Sequence, residues 1–213
     1  MSVSLETDYP FKNSFIYRVN SEKKTAAKLY IRIPSFAKNI KLNGESIGKR
    51  PMLKLGGFEA GETVIRLEYE VEAKIITSPS GLYTARRGSL LFSLPIAYEK
   101  RPVEYTRAGV ERKFPYCDYH IKGVSDWNFG FASDLLEVNE KEIGNMPFAY
   151  ETPPVTLTAE LSHIDWGLEP RYDSICAAKP KSRVALDAPQ KIELYPYGCA
   201  RLRMTEVPKV KLK

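Results

Sequence analysis

The sequence predicts an all-β chain of two packed antiparallel β-sandwich units, of jelly-roll or immunoglobulin-like type, with almost no helix. Three observations predict it. Apolar residues recur at every second position in several runs, the signature of strands with one buried face. Turn residues separate those runs at short intervals, as in a sandwich. No stretch of helical length carries a 3.6-residue apolar period, and no repeat or low-complexity tract is present. With 213 residues, 43% hydrophobic and 11% aromatic, the chain has material for a substantial core. The units are placed at 1–75 and 76–213.

The elements follow in order. Thr7-Asp8-Tyr9-Pro10 reads as a turn, and Phe15, Tyr17 and Val19 alternate with Ser14, Ile16 and Arg18 as a strand. Ala27, Leu29, Ile31 and Ile33 alternate with Lys28, Tyr30 and Arg32, a half-buried strand that Pro34 stops because it lacks a ladder donor. The two strands are expected to pair. Ile40 and Leu42 restart the alternation, and Asn43-Gly44 tolerates the positive φ of a tight hairpin. Met52–Leu55 is a short strand, Gly56-Gly57 a loop, and Ile65, Leu67, Tyr69 and Val71 form an amphipathic strand. This makes six or seven strands by residue 75.

In the second unit, Leu82–Ala85 and Ser89–Leu94 flank Arg86-Arg87-Gly88 as a hairpin. Its consecutive Leu90, Leu91 and Phe92 indicate a central strand covered on both faces. From 97 to 145 the periodicity fails, and a long irregular segment is expected. Val155, Leu157, Ala159 and Leu161 alternate as a strand. Ile192 and Leu194, then Ala200, Leu202 and Met204, form a last pair, with Arg201 and Arg203 on its solvent face.

The 32 basic and 26 acidic residues interleave along the strands, so the net charge of +6 reads as surface solvation. Neither nucleic acid nor membrane is expected as a partner. No run approaches the roughly 18 apolar residues of a membrane span, and the first dozen residues lack a signal-peptide core. The chain is therefore expected to be soluble, with its compartment open. Three distant cysteines, Cys117, Cys176 and Cys199, offer no metal-finger spacing and read as small buried hydrophobes.

Few residues signal chemistry. Cys117-Asp118-Tyr119-His120 holds ligand-type side chains, but an extended backbone points alternate members to opposite faces, so no metal site is expected. His163 and Asp165 read as a hydrogen-bonded pair in a turn. Glu99, Glu104, Glu111, Asp118 and Asp126 are the carboxylates from which a glycosidase pair could be drawn, but their spacing selects none. No phosphate loop or nucleophile elbow is present. No catalytic residue and no cofactor is assigned. The aromatic stretch is more informative. Tyr116, Tyr119, Trp127 and Phe129, with Phe131, could stack on sugar rings while Asp126 and Asn128 supply hydrogen bonds. Alternatively, these rings fill core or seal an interface with another domain.

Thr7-Asp8-Tyr9-Pro10-Phe11, the run Leu29–Ala37 and Leu42-Asn43-Gly44-Glu45 resemble the β-sandwich region of glycoside hydrolase family 127, which includes β-L-arabinofuranosidases. The runs Arg87–Leu94, Asp126–Gly130 and Tyr195–Arg203 fall in the order that family shows, so the resemblance covers nearly the whole chain. In such proteins an (α/α)₆ barrel supplies the cysteine nucleophile, the acid/base glutamate and a cysteine-bound zinc. No helical region here could be that barrel, so none of those residues carries over. The resemblance implies a non-catalytic C-terminal region whose partner is a catalytic barrel on the same polypeptide. On that view the docking or substrate-binding residues are Tyr116, Tyr119, Asp126, Trp127, Asn128 and Phe129. A carbohydrate-binding module, and an interaction protein unrelated to sugars, are the alternatives.

Overall fold

The alternating residues of the first third of the chain build seven strands. These are β1 (Ser2–Thr7), β2 (Ser14–Ser21), β3 (Thr25–Arg32), β4 (Lys38–Leu42), β5 (Glu45–Ser46), β6 (Met52–Phe58) and β7 (Gly61–Glu70). A computed structural model describes residues 1–150, 152–171 and 175–211, and they divide into two compact units. The first holds Met1–Ala73 with the hairpin tip Arg87–Leu90, and the second holds the remaining described residues.

In the first unit one layer is the sheet β1-β2-β7-β4-β5 and the other the ribbon β3–β6. Phe15 of β2, Ile40 of β4 and Leu67 and Tyr69 of β7 meet Ile31 of β3 and Leu53 of β6 in a shared core. That is how the period-two pattern is spent: Ile65, Leu67 and Tyr69 are buried, while Arg66, Glu68 and Glu70 face water. Asn43 and Gly44 take φ of 51° and 86° to turn β4 into β5. The Asn43 amide oxygen also accepts the Arg66 backbone N–H at 2.8 Å, fastening the turn to β7.

Two expectations are corrected here. β2 pairs with β1 and β7, not with β3, whose partner is β6. The polar loop after β2 is thus a crossover between layers, and a strand's own pattern does not reveal which neighbour it joins. Gly56-Gly57 is not a loop but part of β6. A Cβ on Gly56 would lie 2.9 Å from the Ala27 carbonyl oxygen, so the glycine allows a close strand approach beside a bulge in β3.

The second unit adds β8 (Ala73–Thr77), β9 (Tyr83–Arg87), β10 (Leu90–Pro95), β11 (Tyr98–Val103), β12 (Tyr105–Arg107), β13 (Val110–Arg112) and β14 (Asp118–Gly123). It continues with β15 (Phe129–Glu140), β16 (Val155–His163), β17 (Gln190–Pro196) and β18 (Arg203–Met204). Its main sheet runs β15-β16-β17-β10-β9-β8, with β18 also on β10. β10 is central, yet only Leu90 and Phe92 are buried in its apolar triplet, and Leu91 is 39% exposed. The expected last strand is reduced to two residues, and it pairs with β10 after a 3₁₀ turn at Tyr197–Cys199, the one helical element among the described residues.

Residues 207–211 close this sheet. Tyr83 of β9 and Val207 exchange backbone hydrogen bonds at 2.8 and 2.9 Å. Just beyond, the Phe131 N–H of β15 donates to the Pro208 carbonyl at 2.8 Å and the Val210 N–H to the Phe131 carbonyl at 2.9 Å. The segment therefore joins β9 to β15 in a nearly closed barrel. Phe92, Leu94, Phe131, Leu161, Leu194 and Val207 line its interior around a residual void of only about 10 Å³, the density expected of a protein core.

The segment 97–145, expected to be irregular, is mostly strand. β11 and β14 form a ribbon, β12 and β13 a hairpin beyond it, and β15 spans twelve residues. The first two pairs carry polar or exposed residues on both faces, which hides the period-two signal. The three cysteines are unbridged. Only Cys199 is fully buried, and burial pushes its thiol up to about 11.

Candidate functional site

The β11–β14 ribbon sets Lys122 opposite Glu99 and His120 opposite Arg101. Residues paired across an antiparallel ladder share a face, so these four side chains project together. They line one side of a cleft of about 460 Å³, whose other walls include Trp127, Ile96, Leu168, Leu202, Met204, Cys176 and Arg203. Trp127, half-buried on the loop between β14 and β15, meets Trp166 edge-on at 5.7 Å. Trp166 is itself fixed, 4% exposed, with its indole N–H donating to the Ala177 carbonyl at 2.7 Å.

Three cations face this cleft against one carboxylate. Glu99 and Arg101 pair at 3.0 Å on an exposed surface. Arg203 is held more firmly: Nη1 donates to the carbonyls of Ala200 and Arg201, and its guanidinium lies 3.5 Å above the Tyr197 ring centre. Burial raises the pKa of the Cys176 thiol, so the cleft offers no readily formed thiolate there.

The six residues expected to dock or bind are dispersed. Tyr116 lies between β13 and β14, 83% exposed beside Phe114 at 68%. Tyr119 sits on the ribbon face opposite His120. Its ring carries the Lys100 ammonium at 3.7 Å, its hydroxyl donates to the Pro115 carbonyl, and burial, then Cys117, raises its pKa. Trp127 enters the cleft. Asn128 braces the loop, its Nδ2 donating to the Ile164 carbonyl at 3.1 Å while its own carbonyl accepts the Ile164 N–H. Phe129 is 5% exposed and packs on the His163 ring at 4.0 Å, so it is core and offers no stacking face. Asp126 meets His163 Nε2 at 3.3 Å. Phe129 is thus withdrawn from the surface, while Tyr119 lies on β14 and Tyr116 and Trp127 lie on the loops that flank it.

His163 does not pair with Asp165 as expected. Its Nδ1 lies 2.6 Å from Asp187 Oδ2, its backbone N–H donates to Asp187 Oδ1 at 2.9 Å, and Gln190 donates to the same carboxylate at 2.7 Å. With a carboxylate on each ring nitrogen, the imidazole ties together the loop before β15, the end of β16 and the approach to β17. The hydrogen bond from His163 holds the Asp187 carboxyl below the usual range. A carboxyl lowered on folding stabilises the fold above its unfolded pKa of about 3.9 and loses that contribution as pH falls through the folded value. Asp187→Asn is thus expected to be less stable than the parent near neutrality, with the gap closing in acid. Urea midpoints between pH 7 and pH 2 measure it, and a gap that widens in acid would contradict it.

The remaining carboxylates have local partners. Glu104 accepts the Phe114 N–H at 2.9 Å, Glu111 meets Lys113 at 2.8 Å, and Asp118 binds the Tyr105 hydroxyl and so raises its pKa. Among the described residues no three His, Cys, Asp or Glu side chains gather where they could hold a metal ion. Sequence reasoning missed Arg101, Lys122 and Arg203. The one available signal was the two-residue spacing of charges in 99–101 and 120–122, which matters only once those strands are known to pair.

The chain matches no protein-family model and no curated protein. It does share its fold with part of several solved structures. A GH127 β-L-arabinofuranosidase from Geobacillus stearothermophilus T6 matches with a TM-score of 0.54 and 18% identity, over 99% of this chain and 30% of that one. A second GH127 β-arabinofuranosidase gives 0.54 and 11% over 99% and 32%, and another glycoside hydrolase 0.50 and 15% over 98% and 32%. The chain spans about 30% of the length of these enzymes. The family whose motifs its sequence resembles is the one to which two of them belong.

Proposed function

We propose that this chain is the non-catalytic C-terminal β-sandwich region of a GH127-type glycoside hydrolase, packed on an (α/α)₆ catalytic barrel of the same polypeptide. The observation that carries the reading is the fold match, which takes in nearly all of this chain and only about 30% of each enzyme. Two of the three cysteines agree with a non-catalytic role. A nucleophilic cysteine needs a stabilised thiolate, whereas burial raises the pKa of both Cys176 and Cys199. Tyr116 and Phe114, on an outward turn, are the rings best exposed for docking, since surface aromatics in that setting mark interfaces.

The native polypeptide tests this. It is expected to extend beyond these 213 residues, to contain the helical barrel, and to hydrolyse β-L-arabinofuranosides that the 213-residue chain leaves intact. Tyr116→Ser should lower the melting temperature of the full polypeptide while leaving the 213-residue chain unchanged. A native protein of 24.2 kDa, or turnover by the isolated chain that is lost on Glu99→Gln, would overturn the proposal.

A further inference from the structure

We propose that the cleft between Trp127 and the β11–β14 ribbon binds a carboxylate-bearing sugar ring, a uronate unit of an acidic glycan. All its lining residues belong to the second unit, so the inference does not depend on a catalytic barrel. The volume of about 460 Å³ falls within the range of small-ligand sites. One wall is apolar and aromatic, with Trp127 beside Leu202, Leu168 and Met204. Such a wall suits the C–H face of a sugar ring, and an inorganic anion would leave it unused.

The opposite wall selects charge. Arg101 and Lys122 line it beside Glu99, the single carboxylate, and Arg203 joins them from the other side; a neutral sugar would leave Lys122 and Arg203 without a counter-charge. The Glu99–Arg101 pair is exposed, with side chains 54% and 75% accessible, and such pairs contribute little. A ligand carboxylate can therefore compete with Glu99 for Arg101. Arg203 is pre-set by two backbone carbonyls and the Tyr197 ring, so it loses little freedom on binding. A ladder of six paired positions holds Glu99, Arg101, His120 and Lys122 in place. The site is thus formed before the ligand arrives.

Calorimetric titration of the 213-residue chain with digalacturonate, its methyl ester and inorganic phosphate tests the inference. Digalacturonate is expected to bind, the ester about tenfold more weakly because the charge-assisted hydrogen bonds are lost, and phosphate more weakly still. Raising NaCl from about 0.05 to 0.5 M should weaken binding severalfold by screening. Lys122→Gln is expected to weaken it about threefold to tenfold, and Trp127→Ala to abolish it. Lys41→Gln, on β4 of the other unit, should leave it unchanged, which separates a site from general attraction to a basic protein. Trp127→Ala also loses its contact with Trp166; if it fails to fold, the exposed Lys122→Gln still decides. Equal affinity for acid and ester, phosphate binding as tight as digalacturonate, or no binding of any probe would each overturn the inference. None of these results would bear on the docking proposal, which rests on the fold match and Tyr116.

Discussion

Gly130→Val is expected to destabilise the second unit by about 2–4 kcal/mol. A Cβ at Gly130 would lie 2.7 Å from Val210 Cγ1 and 2.9 Å from the Pro208 carbonyl oxygen. The first clash could be relieved by a side-chain movement. The second could not, because that carbonyl accepts the Phe131 N–H at 2.8 Å, and retreat breaks the bond that joins the closing segment to β15. Overpacking of this kind costs about 1–3 kcal/mol, and a lost backbone hydrogen bond adds about 1 kcal/mol. In a chain of this size each kcal/mol lowers the melting temperature by about 2–4 °C. Circular dichroism melts measure it, and a variant that melts with the parent would show that residues 207–211 do not hold the barrel shut.

Phe92→Ala is expected to cost about 3–5 kcal/mol, the range for removing a large ring from a core that cannot collapse around the gap. Phe92 is 1% exposed on the central strand β10, and the barrel interior beside it retains a void of only about 10 Å³. Leu91→Ala, one residue earlier and 39% exposed, should stay within about 0.5 kcal/mol of the parent. Urea unfolding midpoints of the two variants give the comparison directly. Similar losses for both would mean that β10 is covered on both faces, as the sequence pattern alone suggests.

The contrast between adjacent residues shows how far the sequence can be read. β3, β4 and β7 were legible because each has one buried face and so spells its period in hydropathy; β16 was legible because its apolar and polar residues alternate, although both its faces are covered. The Asn43-Gly44 turn was legible because its chemistry is local. Pairing was not. β2 carries the same alternation whether it joins β3 or β7, and the choice depends on residues more than forty positions away. The β11–β14 ribbon was hidden for another reason: neither of its faces is a core face, so polar residues occupy both and no periodicity survives. The candidate cleft inherits that obscurity. Trp127 could be singled out as an aromatic, but the charges facing it are ordinary surface residues until Glu99 is set opposite Lys122 and Arg101 opposite His120. Phe129 illustrates the converse, an aromatic that looked available and is instead packed on His163.

The closing segment also imposes an order on synthesis. β8 to β10 leave the ribosome more than a hundred residues ahead of Val207 and Pro208, the residues that tie β9 to β15. Until then the nascent sheet has two unsatisfied edges, each able to recruit a strand from a neighbouring chain. The second unit is thus exposed to misassembly during translation. A premature stop before residue 207 would yield a sticky open sheet with most of its core residues present, a product for chaperones and proteases to clear.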